Sequence, residues 1–256
     1  PGQHVRHAGE DIALGEIAME AGERLEAQHI MLLAGLGIRE VLVTRPPRVA
    51  LICTGRELID DVSQPLIEGK IRNSNGPFLL ARIAAAGAVV VHYETVSDEP
   101  DAFIASLKKA LSLTPDIVIS TGAVSMGRYD FIPDALRGEN AEILFHKVAI
   151  RPGKPLLFAR LAGGQLYFGL PGNPVSSFVT FLLFVRPFIL RLQGVADVAP
   201  KRIPMRADFA LPKGDRRNEF LRARINANGG LDLFPNQSSG VLTSTVWGRS
   251  EEHTSE

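Results

Sequence analysis

The chain has 256 residues, with 28 basic and 28 acidic side chains and 45% apolar residues. A balanced charge argues against a polybasic nucleic-acid binder, and the apolar content is that of a globular protein with a sizeable core. A single cysteine, Cys53, excludes an internal disulfide and a multi-cysteine zinc site.

Residues 1–45 read as a small leading unit. Apolar residues at helical spacing (Ile30, Leu33, Ala34, Leu36) predict a helix over 26–36 that closes at Gly37. A short strand is expected over 39–43, then a stiff linker at Arg45-Pro-Pro-Arg48. Arg6 and Asp11 in isolation read as solvated charges.

From Val49 strands and helices alternate. Strands are predicted at 49–53, 88–93, 116–120, 143–149, 156–161 and 166–168. Helices are predicted after Asn73 or Ser74, over 99–111, from 131, and after Pro174 to near Gly194. Such alternation predicts a doubly wound, mostly parallel α/β sheet, with ligands at the carboxyl ends of its strands. After Gly194 short alternating segments at 201–208, 219–226 and 231–234 predict the beginning of a small all-β unit. The expected organisation is therefore 1–45, 46–194 and 195–248, with 249–256 a disordered tail or artefact. No apolar run reaches the ~18–20 residues of a membrane helix, because Arg186 and Pro187 interrupt the longest one. No signal peptide is visible, which makes the cytoplasm the default location.

Chemistry concentrates in the predicted strand-end loops. Gly169-Leu-Pro-Gly-Asn-Pro-Val-Ser-Ser177 turns an apolar strand into an apolar helix, with Asn173 placed to cap it and Pro174 in its first turn. Free N–H groups at such a turn suit an anion, and a tight turn without any ligand is the bland alternative. Thr54-Gly-Arg-Glu-Leu58, the residues up to Asp98, and Ser120-Thr-Gly-Ala-Val-Ser-Met-Gly-Arg-Tyr-Asp130 end earlier strands. Gly122, Ser125 and Gly127 allow close backbone approach to an anion. Lys147, Arg151 and Lys154 add positive charge, while Glu57, Asp98 and Asp130 add carboxylates of the kind that hold Mg²⁺ beside phosphates. Taken together, the loops predict a site for a phosphorylated ligand with a divalent cation. Neither a GxxxxGK[ST] loop nor a GxGxxG fingerprint occurs.

On these four motifs, with Lys147-Val-Ala-Ile-Arg-Pro-Gly-Lys-Pro155 as the third, the sequence resembles the molybdopterin molybdenumtransferases, which include the gephyrin E-domain. The resemblance spans roughly residues 1–245. It implies insertion of molybdate into adenylylated molybdopterin with Mg²⁺ and release of AMP, by a cytoplasmic homodimer whose partners include a molybdopterin adenylyltransferase and apo-molybdoenzymes. It also implies that the chain lacks the family's large N-terminal region and the end of its β domain. Under it Glu57, Asp98 and Asp130 are the functional and metal-holding acids. Arg6 and Asp11 are functional positions that reach the partner's site. Thr54, Gly55, Thr121, Gly122, Ser125, Gly127, Lys147, Arg151, Lys154, Pro155, Pro171, Gly172, Asn173, Pro174, Ser176, Arg222 and Ser239 contact the ligands. The family's usual Gly-Asp-Glu is Gly55-Arg56-Glu57 here, and Ala123 replaces a usual glycine. Two alternatives stand beside this reading: the adenylyltransferase acting one step earlier, and a non-catalytic gephyrin-like scaffold.

Overall fold

The computed structural model describes residues 4–123, 131–211, 214 and 216–248. Its centre is a six-stranded sheet made of β1 (Arg48–Thr54), β4 (Val89–Val96), β5 (Ile117–Thr121), β6 (Glu142–His146), β8 (Leu157–Arg160) and β9 (Leu166–Leu170), in the order β4-β1-β5-β9-β8-β6. The first four strands in that order run parallel; β8 is antiparallel to both of its neighbours. Strand β1 is buried on both faces, as its unbroken apolar run requires. Its alternate residues divide between two cores. Val49, Leu51 and Cys53 meet Leu79, Ile83, Phe168, Phe181 and Ile189, while Ala50 and Ile52 meet Phe103, Leu107, Ile132, Leu136 and Tyr167. Helix α2 (Asn75–Ala85) and the long C-terminal helix therefore cover one face, and α3 (Pro100–Ser112) and α4 (Ile132–Gly138) the other. This is the doubly wound arrangement expected from the alternation.

The long helix spans Pro174–Leu192 in three pieces: α5 (Pro174–Thr180), a π turn (Phe181–Val185) and α6 (Arg186–Leu192). Pro187 explains the middle piece. Its ring has no N–H and crowds the carbonyl four residues earlier, and a wider turn just before it relieves that contact. The helix extends as expected to near Gly194, and it is long and apolar enough to cross a membrane although Arg186 and Pro187 interrupt its apolar run, which the sequence reading took to rule out that length. Here Phe181, Val185 and Ile189 bury it against the sheet as a core helix.

Other differences from the sequence reading have local causes. Helix α1 (Ala27–Gly35) forms, but residues 39–43 make no strand. Leu42 and Val43 stand exposed, and no described strand lies beside them to complete a ladder. Two parallel two-residue strands, β2 (Leu58–Ile59) and β3 (Ile71–Arg72), were too short to leave a periodic signal. After Gly194, residues 201–208 yield only an isolated bridge at Ala207. Strand β10 (Asn218–Glu219) pairs with β7 (Ile150–Arg151), and β11 (Ala223–Ile225) pairs with β12 (Leu231–Leu233). A short helix, α7 (Thr243–Trp247), corrects the all-β expectation for this part. Its Trp247 rests against Phe234 and under the Arg224 guanidinium, so tertiary contacts decide its conformation.

Candidate functional site

Strand order reverses between β1 and β5: the chain leaves β1 for β4 on one side and returns to β5 on the other. A crevice opens at the carboxyl ends of strands at such a point. Here those ends are tied together. The Thr54 hydroxyl donates to the Thr121 carbonyl at 3.0 Å, the Gly55 N–H to the Val96 carbonyl at 3.0 Å, and the Gly122 N–H to the Leu170 carbonyl at 3.2 Å. Gly122 has φ +91°, and a Cβ on it would lie 2.5 Å from the Thr54 carbonyl oxygen, so only glycine fits. Gly172 lies against Gly122 from the β9 side, where an added Cβ would be 3.5 Å from the Gly122 Cα. Thr54, Gly55, Thr121, Gly122, Pro171 and Gly172 thus meet as expected at one edge. Ser125, Gly127 and Asp130 lie outside the described residues.

Two buried asparagines that the motifs did not single out complete this edge. Asn75 Nδ2 donates to the Gly172 carbonyl at 2.7 Å and ties the start of α2 to the loop after β9. Asn73 Oδ1 accepts the Gly76 N–H at 2.9 Å, while its Nδ2 donates to Asp60 at 2.8 Å and to the Thr95 hydroxyl at 3.1 Å. Tyr93 also donates to Asp60, at 2.8 Å, and burial pushes its hydroxyl well above the ordinary phenol range. The available signal was the polar Asn73-Ser-Asn-Gly76 run just before an apolar helix, read there only as a cap. A cleft of about 590 Å³ lined by Asp60, Lys70 and Thr95 adjoins this network. Burial likewise raises the Cys53 thiol, which is an inert core group.

The basic loop reaches the same edge by topology. Strands β6 and β9 both run antiparallel to β8, so the loop after β6 leaves at the carboxyl edge. The Lys147 N–H donates to the Leu156 carbonyl at 2.7 Å and the Val148 N–H to the Lys154 carbonyl at 2.9 Å, which closes the loop. Gly153, at φ +110°, lets it approach α5: a Cβ there would be 2.7 Å from Thr180 Cγ2. Arg151 pairs with Glu219 at 3.0 Å. Lys154 is exposed, and Lys147 and Pro155 are half-buried.

Helix α5 begins at Pro174 with Asn173 in the N-cap position as expected, but the Asn173 side chain makes no cap; its carbonyl accepts the Ser177 N–H at 2.9 Å. The first amide after Pro174 is also occupied, since the Val175 N–H donates to the Ser239 carbonyl at 3.1 Å. Ser176 is buried. Arg222 is buried too and holds the Ser239 turn in place, with Nη2 donating to the Ser238 carbonyl at 3.0 Å and Nε to the Ser244 hydroxyl at 3.1 Å. Arg6 and Asp11 are exposed. The end of the leading segment is tied to the opposite, amino edge of the sheet: the Thr44 hydroxyl donates to the Gln193 carbonyl at 3.0 Å, and Arg45 pairs with Asp116 at 2.6 Å.

Of the predicted acids, Asp98 is already engaged by a cation. Asp98 Oδ1 accepts both the backbone N–H and Nε of Arg56, at 3.2 and 2.9 Å, and the Arg56 contact lowers its pKa. Among the described residues no three Asp, Glu, His or Cys side chains gather as a metal site.

Residues 50–191 match the family model described as "Probable molybdopterin binding domain", and residues 1–37 match "MoeA N-terminal region (domain I and II)".

The chain belongs to the molybdopterin-binding domain family.

The molybdopterin molybdenumtransferase of Synechococcus elongatus is 39% identical over 247 residues, which cover 96% of this chain and 60% of that protein. The enzyme of the same name from Staphylococcus aureus strain MRSA252 is 37% identical over 244 residues, 94% of this chain and 58% of that protein. The crystal structure of the molybdopterin biosynthesis MoeA protein of Pyrococcus horikoshii OT3 superposes with a TM-score of 0.74 at 28% identity, covering 94% of this chain and 57% of that one. The chain therefore spans about 60% of the length of the curated relatives it matches. The family resemblance read from the motifs holds along nearly the whole chain.

Proposed function

We propose that this chain is the pterin-binding part of a molybdopterin molybdenumtransferase, which inserts molybdate into adenylylated molybdopterin and releases AMP. The observation that carries the reading is the meeting of Gly55, Gly122 and Gly172 at the strand-order reversal, beside a loop bearing Lys147, Arg151 and Lys154. Cleaving a phosphoanhydride needs its negative charge neutralised and its leaving group held in place. The chain's own residues would supply the charge: Lys147, Arg151 and Lys154 lie on the loop that leaves β6 at the same edge of the sheet. Molybdate, a tetrahedral dianion, suits the same cations. The resemblance implies Mg²⁺ with Glu57, Asp98 and Asp130 as its acids. Because Asp98 is engaged by Arg56, no step is assigned to the metal.

The match to a MoeA-type N-terminal region favours the transferase over the adenylyltransferase, whose resemblance covers the α/β unit alone. A cytoplasmic homodimer, with 1–45, 46–194 and 195–248 as separate units and with Arg6 and Asp11 serving a partner's site, belongs to the same proposal, as does exchange with an adenylyltransferase and with apo-molybdoenzymes. Lys154→Ala tests the assignment of the basic loop. Molybdate affinity is expected to fall about tenfold, ~1.4 kcal/mol, while molybdopterin affinity changes less than twofold. Equal losses for both ligands would show that Lys154 only sets a general potential.

A further inference from the structure

The loop between β2 and β3 forms a cavity of its own on the β4 side of the crevice. This cleft of about 590 Å³ has apolar walls from Leu58, Ile59, Pro65 and Ile67, with Asp60 and Thr95 among its polar groups. That volume and that mixture suit a small flat ligand oriented by a few polar contacts. The cleft adjoins the crevice edge along β4: Thr95 lines it, and the next carbonyl, of Val96, accepts the Gly55 N–H.

Asp60 gives the cleft its chemistry. The Asn73 amide and the Tyr93 hydroxyl both donate to its Oδ1, each at 2.8 Å. Asn73 is buried and its own Oδ1 accepts the Gly76 N–H at 2.9 Å, so it presents only a donor to Asp60. Two neutral donors thus hold the carboxylate in one orientation, and its Oδ2 accepts no hydrogen bond among the described residues. Among those residues no lysine or arginine pairs with it either. Lys70 donates to the Arg56 carbonyl, and Arg72 donates to the Asp61 and Gln64 carbonyls. The neighbouring acid, Asp61, is turned onto the N–H and hydroxyl of Ser63. An ionised carboxylate has about four acceptor sites and forms strong, charge-assisted bonds with N–H donors. The pterin ring of a molybdopterin is flat, and its 2-amino group and N3–H stand side by side as donors.

We propose that this cleft is the subsite for the pterin ring and that Asp60 reads the 2-amino and N3–H edge, with the phosphate end of the same ligand at the glycine turns. The inference rests on reading the chain as a pterin-binding protein. It makes Asp60 a specificity-determining residue, because its open oxygen would meet a second acceptor in a ring that carries oxygen at C2. Asp60→Asn inverts that preference. Asn73 and Tyr93 still require an acceptor at the Oδ1 position, so the new amide nitrogen takes the open place and donates.

The test titrates this chain with two fluorescent rings, pterin and lumazine, which carry an amino group and a carbonyl oxygen respectively at C2. Wild type is expected to bind pterin at least ~10-fold tighter than lumazine, and Asp60→Asn is expected to reverse the order. Asp60→Ala, which removes the acceptor and adds no donor, should lose at least ~10-fold for pterin and gain nothing for lumazine. Molybdopterin is titrated in parallel. Wild type that binds molybdopterin without preferring pterin to lumazine, or a preference for pterin that survives in both variants, would overturn the inference and leave the pterin-binding reading standing. Wild type that binds neither molybdopterin nor pterin would overturn both.

Discussion

Ala123 adopts φ +48°, in the left-handed region, immediately after the glycine that closes the β5 turn. A Cβ in that region costs roughly 1–2 kcal/mol, and a glycine would remove the strain at the expense of about 0.5–1 kcal/mol of chain entropy. Ala123→Gly should therefore stabilise the fold by about 0.5 kcal/mol, seen as a higher urea midpoint at unchanged slope; a lower midpoint would mean that the alanine methyl has contacts worth more than its strain. Asp98 offers a pH test. Its folded pKa is depressed by Arg56, so its contribution to stability is complete above the ordinary aspartate range and is lost as pH falls through it. Wild type should exceed Arg56→Gln in urea midpoint at pH 6, and the gap should close as pH falls below about 4. A gap that widens on acidification would contradict the ion pair. The sequence motifs already named Asp98 and flagged Arg56 as a departure. That the two bind each other was illegible, because 42 residues separate them and only the β1–β4 pairing brings them together.

Among the elements, strands with all-round burial and helices with one apolar face were legible, since β1, β5, α2 and α3 carry their periodicity in their own residues. Elements whose conformation comes from distant partners were not. The residues at 39–43 are strand-like in composition but lack a described ladder partner, and α7 depends on Trp247 meeting Phe234 and Arg224. The Asn73 and Asn75 side chains belong to the same class: they look like a helix cap in sequence and serve as cross-links in space. The π turn before Pro187 is the element most open to test. Phe181 at its start is fully buried and meets Phe78 edge-on at 6.4 Å. Phe181→Ala should cost about 3–5 kcal/mol and lower the thermal midpoint by roughly 10 °C. A drop of under about 3 °C would show that this turn is not a structural centre of the helix–sheet contact.

For the molecule as a whole, the crevice edge is assembled almost entirely from the α/β sheet. The glycine turns are linked by hydrogen bonds between strands, and the basic loop is carried by β6, β8 and α5. The C-terminal part adds the Ser239 carbonyl at α5 and, through Arg222, the turn that carries it. The leading segment is anchored at the far edge. Binding of the pterin should therefore persist in this chain, whereas molybdenum transfer, which needs groups placed to within about 1 Å, should require the longer protein. Reconstituting an apo-molybdoenzyme with either protein would separate the two capacities. The most direct measurement is equilibrium binding of molybdopterin to this chain, with Gly122→Ala as the control. The account predicts saturable binding at one site per chain and its loss in Gly122→Ala, because a Cβ there would meet the Thr54 carbonyl oxygen at 2.5 Å and spread the β1 and β5 ends apart. Equal binding by a folded Gly122→Ala protein, or no binding by the wild-type chain, would contradict it.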